Sequence, residues 1–184
     1  EFAGPAHHAH QQGNFGRVEL GHLAPEIEFG GSGKSVHGLA TLLQPALQAT
    51  LKQGRLTTEA RRLVGALAEA VLQGSLPAGE AALQRQVDAF ETTVGKLPAA
   101  ARAELAQLLG LLLSAAGRAL LTGQHAPLHE LGLTERQALL QGMRVSRLAL
   151  RQQAYFALRD LNAASFFAEP HSWAALAYPG PRAL

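Results

Sequence analysis

The residues able to do chemistry are few, and they do not converge. Gly33, Lys34 and Ser35 end like a phosphate-binding loop, in which backbone N–H groups and a lysine hold phosphate oxygens. That loop needs another glycine where Glu28 stands, and no apolar strand precedes it. Gly31 and Gly33 open like a dinucleotide fingerprint, but Val36 occupies the place of the third glycine. Ser32 comes nearest to a nucleophile elbow, with Lys34 in the position of the last glycine. His125 and His129 have the spacing of a metal pair, but Pro127 lies between them and keeps them off a shared helix face. His7, His8 and His10 could take up a metal, but nothing around them would make that site rigid. The two aspartates are Asp88 and Asp160; Asp88 follows Val87 near the edge of an apolar stripe and reads as a surface carboxylate. No paired-carboxylate site is evident. With no cysteine, the chain has no disulfide framework, thiol nucleophile or Cys-ligated metal. No catalytic, cofactor-binding or metal-binding residue is assigned to it.

The basic residues are more suggestive. Arg144, Arg147 and Arg151 fall within about 60° of one another on a helical wheel. With Arg136 and Arg159 they make the last third of the chain basic. Overall, 16 basic residues face 14 acidic ones, for a net charge of +2. That excess is slight, and no aromatics interleave with the arginines to stack on bases, so nucleic acid is not the expected partner. The stripe is either a solvated helix face or a surface that recognises an acidic partner.

The elements that must carry these residues are helices. In 184 residues there are 35 Ala and 33 Leu against 7 Val and 1 Ile, a bias against any large sheet. The length suits one domain. Leu39, Leu42, Leu43, Leu47 and Leu51 recur at helical spacing from about Gly38, with Pro45 as a kink or start. A second helix is expected over Thr58–Gln73, stopped by Gly74, and a third over Gly79–Val94, stopped by Gly95. Pro98 opens a fourth that runs to Leu121 before Gly123; apolar all round at Leu108–Leu113, it is the expected central helix. Thr134 and Gln137 match a capping box for a fifth helix, and a sixth covers Leu148–Phe167. The fold class expected is therefore all-α, a single helical domain of about five or six helices. Residues 1–36 form a Gly-rich, extended or partly disordered arm, residues 37–167 the helical domain, and residues 168–184 an extended proline/aromatic tail.

No membrane span is expected. The charge-free runs are Ser35–Leu51, broken by Pro45, and Leu105–Gly117, short of the ~20 residues needed to cross a bilayer. Arg61 and Arg62 imitate a twin-arginine export box, but Glu69 interrupts the apolar stretch that should follow, and the segment reads as helix. An export signal, if there was one, lay upstream of residue 1 and has been removed.

Six of the ten aromatic residues (Tyr155, Phe156, Phe166, Phe167, Trp173 and Tyr178) lie in the last 30 positions. Aromatics in a proline-rich chain end pack on something, either the chain's own helices or another protein. The stretch Leu133–Pro181 resembles the end of the helical accessory region of flavin-dependent glucose–methanol–choline (GMC) oxidoreductases. That region occurs as the N-terminal domain of long-chain alcohol oxidases, and in related form as a separate small subunit similar to subunit 3 of gluconate 2-dehydrogenase. The residues that carry the resemblance are Ser146, Arg147, Leu148, Arg151, Phe156, Leu158, Arg159, Phe166, Phe167, Pro170, Trp173 and the block Tyr178-Pro179-Gly180-Pro181. A weaker likeness extends upstream to Glu59. Ala149 stands where the family commonly has proline, and the N-terminal arm does not align.

The resemblance implies a non-catalytic small subunit bound to a GMC catalytic subunit. FAD and the chemistry, hydride transfer from an alcohol carbon, would belong to that partner. It also implies an onward electron acceptor, a cytochrome c or another carrier, reached through the complex. The periplasm is the implied compartment, with the cytoplasm as the alternative. Two other readings stand beside it: a detached N-terminal domain of a single-chain alcohol oxidase, and a free-standing helical module that binds protein. In the first reading Phe166, Phe167, Trp173 and Tyr178 anchor the interface, Pro179, Gly180 and Pro181 hold the chain extended across it, and Arg147 and Arg151 add charge-assisted contacts beside them.

Overall fold

A computed structural model describes residues 50–52, 55–173 and 179. The arm, its Gly33-Lys34-Ser35 segment, the three N-terminal histidines and the helix expected from Gly38 to residue 49 lie outside the described residues. So do Tyr178, Gly180 and Pro181.

Among the described residues the fold is all-α. A short antiparallel ribbon, β1 (Leu51–Lys52) with β2 (Arg55–Leu56), precedes seven helices. They are α1 (Thr58–Val71), α2 (Glu80–Lys96), α3 (Ala99–Leu113), α4 (Ala115–Thr122), α5 (Leu133–Arg144), α6 (Ala149–Phe167) and α7 (Pro170–Trp173). A 3-10 turn, Leu128–Glu130, lies between α4 and α5. Leu51 thus ends in a strand rather than in the expected helix.

The central helix is α1, not the expected Leu-rich one. Thr57 caps it, its side chain accepting from the Ala60 N–H at 3.4 Å. Leu63, Val64, Leu67, Ala60 and Ala68 are almost fully buried, and α2, α3, α5, α6 and the 3-10 turn all pack on it. Small residues explain its place, because Ala and Gly let neighbouring backbones come close. A Cβ built on Gly65 would lie 3.7 Å from Leu83 and from Val87, both on α2. The Leu108–Leu113 run buries Leu108, Leu109, Gly110 and Leu112 but leaves Leu111 and Leu113 half-buried.

Two expected boundaries move. Gly95 does not stop α2, which continues to Lys96. The stop is Leu97, held extended (φ −68, ψ 149) because the ring of Pro98 disfavours helical geometry in the residue before it. The cap of α5 sits two residues early: Gly132 is the N-cap, and Glu135 Oε2 accepts from its N–H at 2.8 Å, the one half of a capping box that a glycine allows. At α2, Gly79 takes the N-cap with φ 108, and at the end of α4 Gly123 takes the left-handed stop with φ 78, both backbone geometries that favour glycine.

The expected fourth helix is two helices. They meet at 97° on Ser114, which is the C-cap of α3 and the N-cap of α4. Ser114 Oγ accepts from the Gly117 N–H at 3.0 Å. The bend presses Gly117 against the end of α3, and any Cβ there would collide with the Leu111 carbonyl. The carbonyls freed by the break are taken by Arg118, which is buried; its NH1 donates to Leu112 O (3.2 Å) and Leu113 O (2.6 Å), and its Nε to His125 O (2.8 Å). Desolvation lowers the pKa of Arg118, and the Glu130 carboxylate opposes that shift.

At the other side of the core, α2 packs on α6 through a buried polar pair. Gln86 Nε2 donates to Asn162 O at 3.1 Å, and Asn162 Nδ2 donates to Leu158 O at 2.8 Å. Gln86 Oε1 and Asn162 Oδ1 are buried with no hydrogen-bond partner among the described residues.

Candidate partner interface

The candidate site residues lie on α6, at its two ends and just beyond it. One face of the helix buries Ala154, Leu158, Asn162, Ser165 and Phe166. The opposite face leaves Ala149, Gln153, Phe156, Asp160, Ala164 and Phe167 exposed. Phe156 is 42% exposed and Phe167 40%, high values for phenylalanine. Eleven residues apart, they stand on the same side about 16 Å from each other. The Arg159 guanidinium lies 5.0 Å from the Phe156 ring centroid and 5.9 Å from that of Tyr155, and its Nε donates to Asp160 Oδ1 at 2.7 Å.

The adjacent phenylalanines have opposite fates. Phe166 is 2% exposed and packs with Ala68 and Leu72 in a small second core cluster. It therefore belongs to the chain's own interior, a correction to its expected place in an interface. Phe167 meets it edge-on, ring centroids 5.2 Å apart, and keeps its outer side in solvent. Beyond Phe167 the chain turns into α7. Ser172 is buried, its Oγ donating to Glu169 O at 2.8 Å, and His171 meets the Phe166 ring edge-on at 5.8 Å. The Trp173 indole N–H donates to Phe167 O at 2.9 Å, so Trp173 is folded back beside Phe167. Pro179 is exposed. The segment after Phe167 thus begins as a short helix rather than an extended tail.

The arginines are not beside these aromatics. Arg147 precedes α6 and Arg151 lies in its first turn, so roughly 24 Å of helix separates Arg151 from Phe167. Arg147 is exposed. Arg151 is half-buried, and its Nε donates to Leu120 O at 2.8 Å, which ties α6 to α4. Sequence reasoning missed two exposed apolar residues near this end, Leu120 at 50% and Val145 at 63%. The first was hidden by treating α3 and α4 as one continuous helix.

Several of the remaining polar residues are occupied locally. Asp88 is a surface carboxylate that pairs with Arg61 at 2.5 Å, while Glu91 pairs with Arg61 at 2.8 Å and accepts from the Leu56 N–H at 2.7 Å. Arg61 therefore ties α1 to α2, and Glu91 carries the tie on to the β-ribbon. Pro127 opens the 3-10 turn that contains His129 but not His125. Among the described residues no three His, Cys, Asp or Glu side chains stand together as a metal set. A shallow cleft of about 340 Å³ runs between the 74–79 loop and α5; the arginine on its wall, Arg136, already donates to Glu69 Oε2 (2.8 Å) and Ala66 O (3.0 Å). No single helix among the described residues is long and apolar enough to cross a membrane, although α3 and α4 pass that test as a bent pair. The chain matches no protein-family model, no curated protein and no solved structure.

Proposed function

We propose that this chain is a non-catalytic accessory subunit that binds and stabilises a flavin-dependent, GMC-type alcohol or sugar dehydrogenase. The hydride passes from the carbinol carbon to the flavin in that partner. The chain's own work is to dock, with the periplasm as the expected compartment. One observation carries the reading. Within the segment that resembles the accessory region, Phe167 is 40% exposed and the half-buried Trp173 folds against its carbonyl, an aromatic edge that the helical body leaves partly uncovered. Phe156 extends that edge along the solvent face of α6. Large aromatics with few rotatable bonds lose little entropy on docking and supply much contact area, which is why they dominate interface energies.

The test is co-purification from the native host. A yellow, flavin-bearing chain eluting with this one in fixed ratio is the expected result. A chain that elutes alone, or with a partner lacking flavin, rejects the reading in favour of a free-standing binding module. Phe167→Ala and Trp173→Ala should each weaken association by about 2 kcal/mol. Removal of residues 174–184 should weaken it further while the helices stay folded, because that cut spares the buried Ser172.

A further inference from the structure

The arginine end of α6 is a surface in its own right. There α4, the end of α5 and the start of α6 come together. Three apolar side chains stand in solvent at this corner: Val145 is 63% exposed, Leu148 55% and Leu120 50%. Arginines alternate with them. Arg144 and Arg147 are exposed, and Arg151 reaches across to Leu120, its Nε bound to the Leu120 carbonyl at 2.8 Å. Arg144 uses its Nε on Gln141 Oε1 at 2.9 Å. The terminal guanidinium nitrogens of all three make no hydrogen bond among the described residues.

Among the described residues, carboxylates are missing from the corner. Its three helices carry two acidic residues, Glu135 and Asp160. Glu135 is bound to the Gly132 N–H, and Asp160 is paired with Arg159. Each lies nine residues from the nearest arginine of the corner, ~13 Å along its helix. The result is a one-signed patch with an apolar centre.

We propose that this corner is a docking surface for a carboxylate-bearing protein, separate from the aromatic edge at the other end of α6. Charge complementarity selects an acidic occupant, and the kind of cation selects protein. Arginine is enriched at protein interfaces and lysine depleted, and its planar fork meets a carboxylate with two parallel bonds. Among the described residues, all the cations at this corner are arginines. A lipid surface would call for a larger basic cluster and an aromatic anchor, and a nucleic acid for stacking aromatics among the arginines. Among the described residues the corner has neither, since the nearest exposed aromatic of them, Phe156, is further along α6 and under Arg159.

The experiment uses the full chain and a dye-labelled synthetic amphipathic peptide with glutamates along one stripe and leucines along the other. Fluorescence anisotropy should show saturable binding that weakens with added salt. Arg144→Glu with Arg147→Glu, and separately Val145→Ser with Leu148→Ser, should each cost about tenfold or more in affinity while far-UV circular dichroism stays unchanged. Phe167→Ala should leave this binding intact, which separates the result from the fate of the flavin-subunit proposal. No binding, or binding that both double variants retain, overturns the assignment. So does preferential binding to phosphatidylglycerol vesicles or duplex DNA that the same variants abolish.

Discussion

Phe166 and Phe167 put the contrast between core and surface into neighbouring positions. Phe166→Ala should cost about 3–5 kcal/mol of folding stability, since it empties a buried ring from the second cluster. Phe167→Ala should change stability by less than about 1 kcal/mol, so its effect on partner binding can be read without unfolding. Urea titrations of the two variants check this directly. Two buried glycines make a second contrast. Gly65→Ala should stabilise by up to about 1 kcal/mol, because the added methyl meets Leu83 and Val87 at ordinary contact distance and alanine favours helix. Gly117→Ala should destabilise by about 1–3 kcal/mol, because its methyl runs into the backbone of Leu111. Equal thermal shifts for the two would show that the bend at Ser114 is misplaced.

At the scale of elements, the α3–α4 corner and the α2–α6 seam depend on polar groups inside the core. Arg118→Ala should lose about 2–3 kcal/mol, since it leaves the carbonyls of Leu112 and Leu113 without their charged donor, and Arg118→Lys should not restore it, because one ammonium cannot reproduce the fork. Chemical denaturation of both variants gives the comparison. The Gln86–Asn162 seam behaves differently. It buries two acceptor oxygens that have no partner among the described residues. Gln86 bonds the Asn162 backbone carbonyl, which stays in place whatever the side chain, so Gln86→Leu and Asn162→Leu should each remove one unpartnered oxygen, cost less than about 1 kcal/mol, and add in the double variant. A double-mutant cycle in thermal stability checks that additivity, and a coupling above about 0.5 kcal/mol would contradict it.

For the whole molecule, the core is one large cluster around α1 with a small satellite of Ala68, Leu72 and Phe166 beneath α7. A four-residue helix held by so small a cluster opens more easily than the body. Trp173 is the single tryptophan, so its fluorescence reports α7 alone. Its transition in urea should precede the loss of helix seen by circular dichroism, and coincident transitions would show that α7 is integral to the body. A short helix held by so few contacts suits a docking edge, because its aromatic can rearrange against a partner.

The all-α class was legible in the sequence because the Ala/Leu bias and scarcity of β-branched residues act locally, residue by residue. Helix spacings placed α1, α2, α5 and α6 to within a few residues for the same reason. The corner at Ser114 was not legible: Ser114 and Gly117 are tolerable within a helix, and only the distant His125 carbonyl and the packing of α4 on α5 and α6 turn them into a bend. The central helix was misjudged because apolarity shows what a helix can bury, whereas small side chains on α1 decide which helix the others can crowd around. The aromatic and arginine residues were recognised as a group by their nearness in sequence. Only the rigid length of α6 set them at opposite ends, and only its rotation in the bundle turned Phe166 inward and Phe167 out.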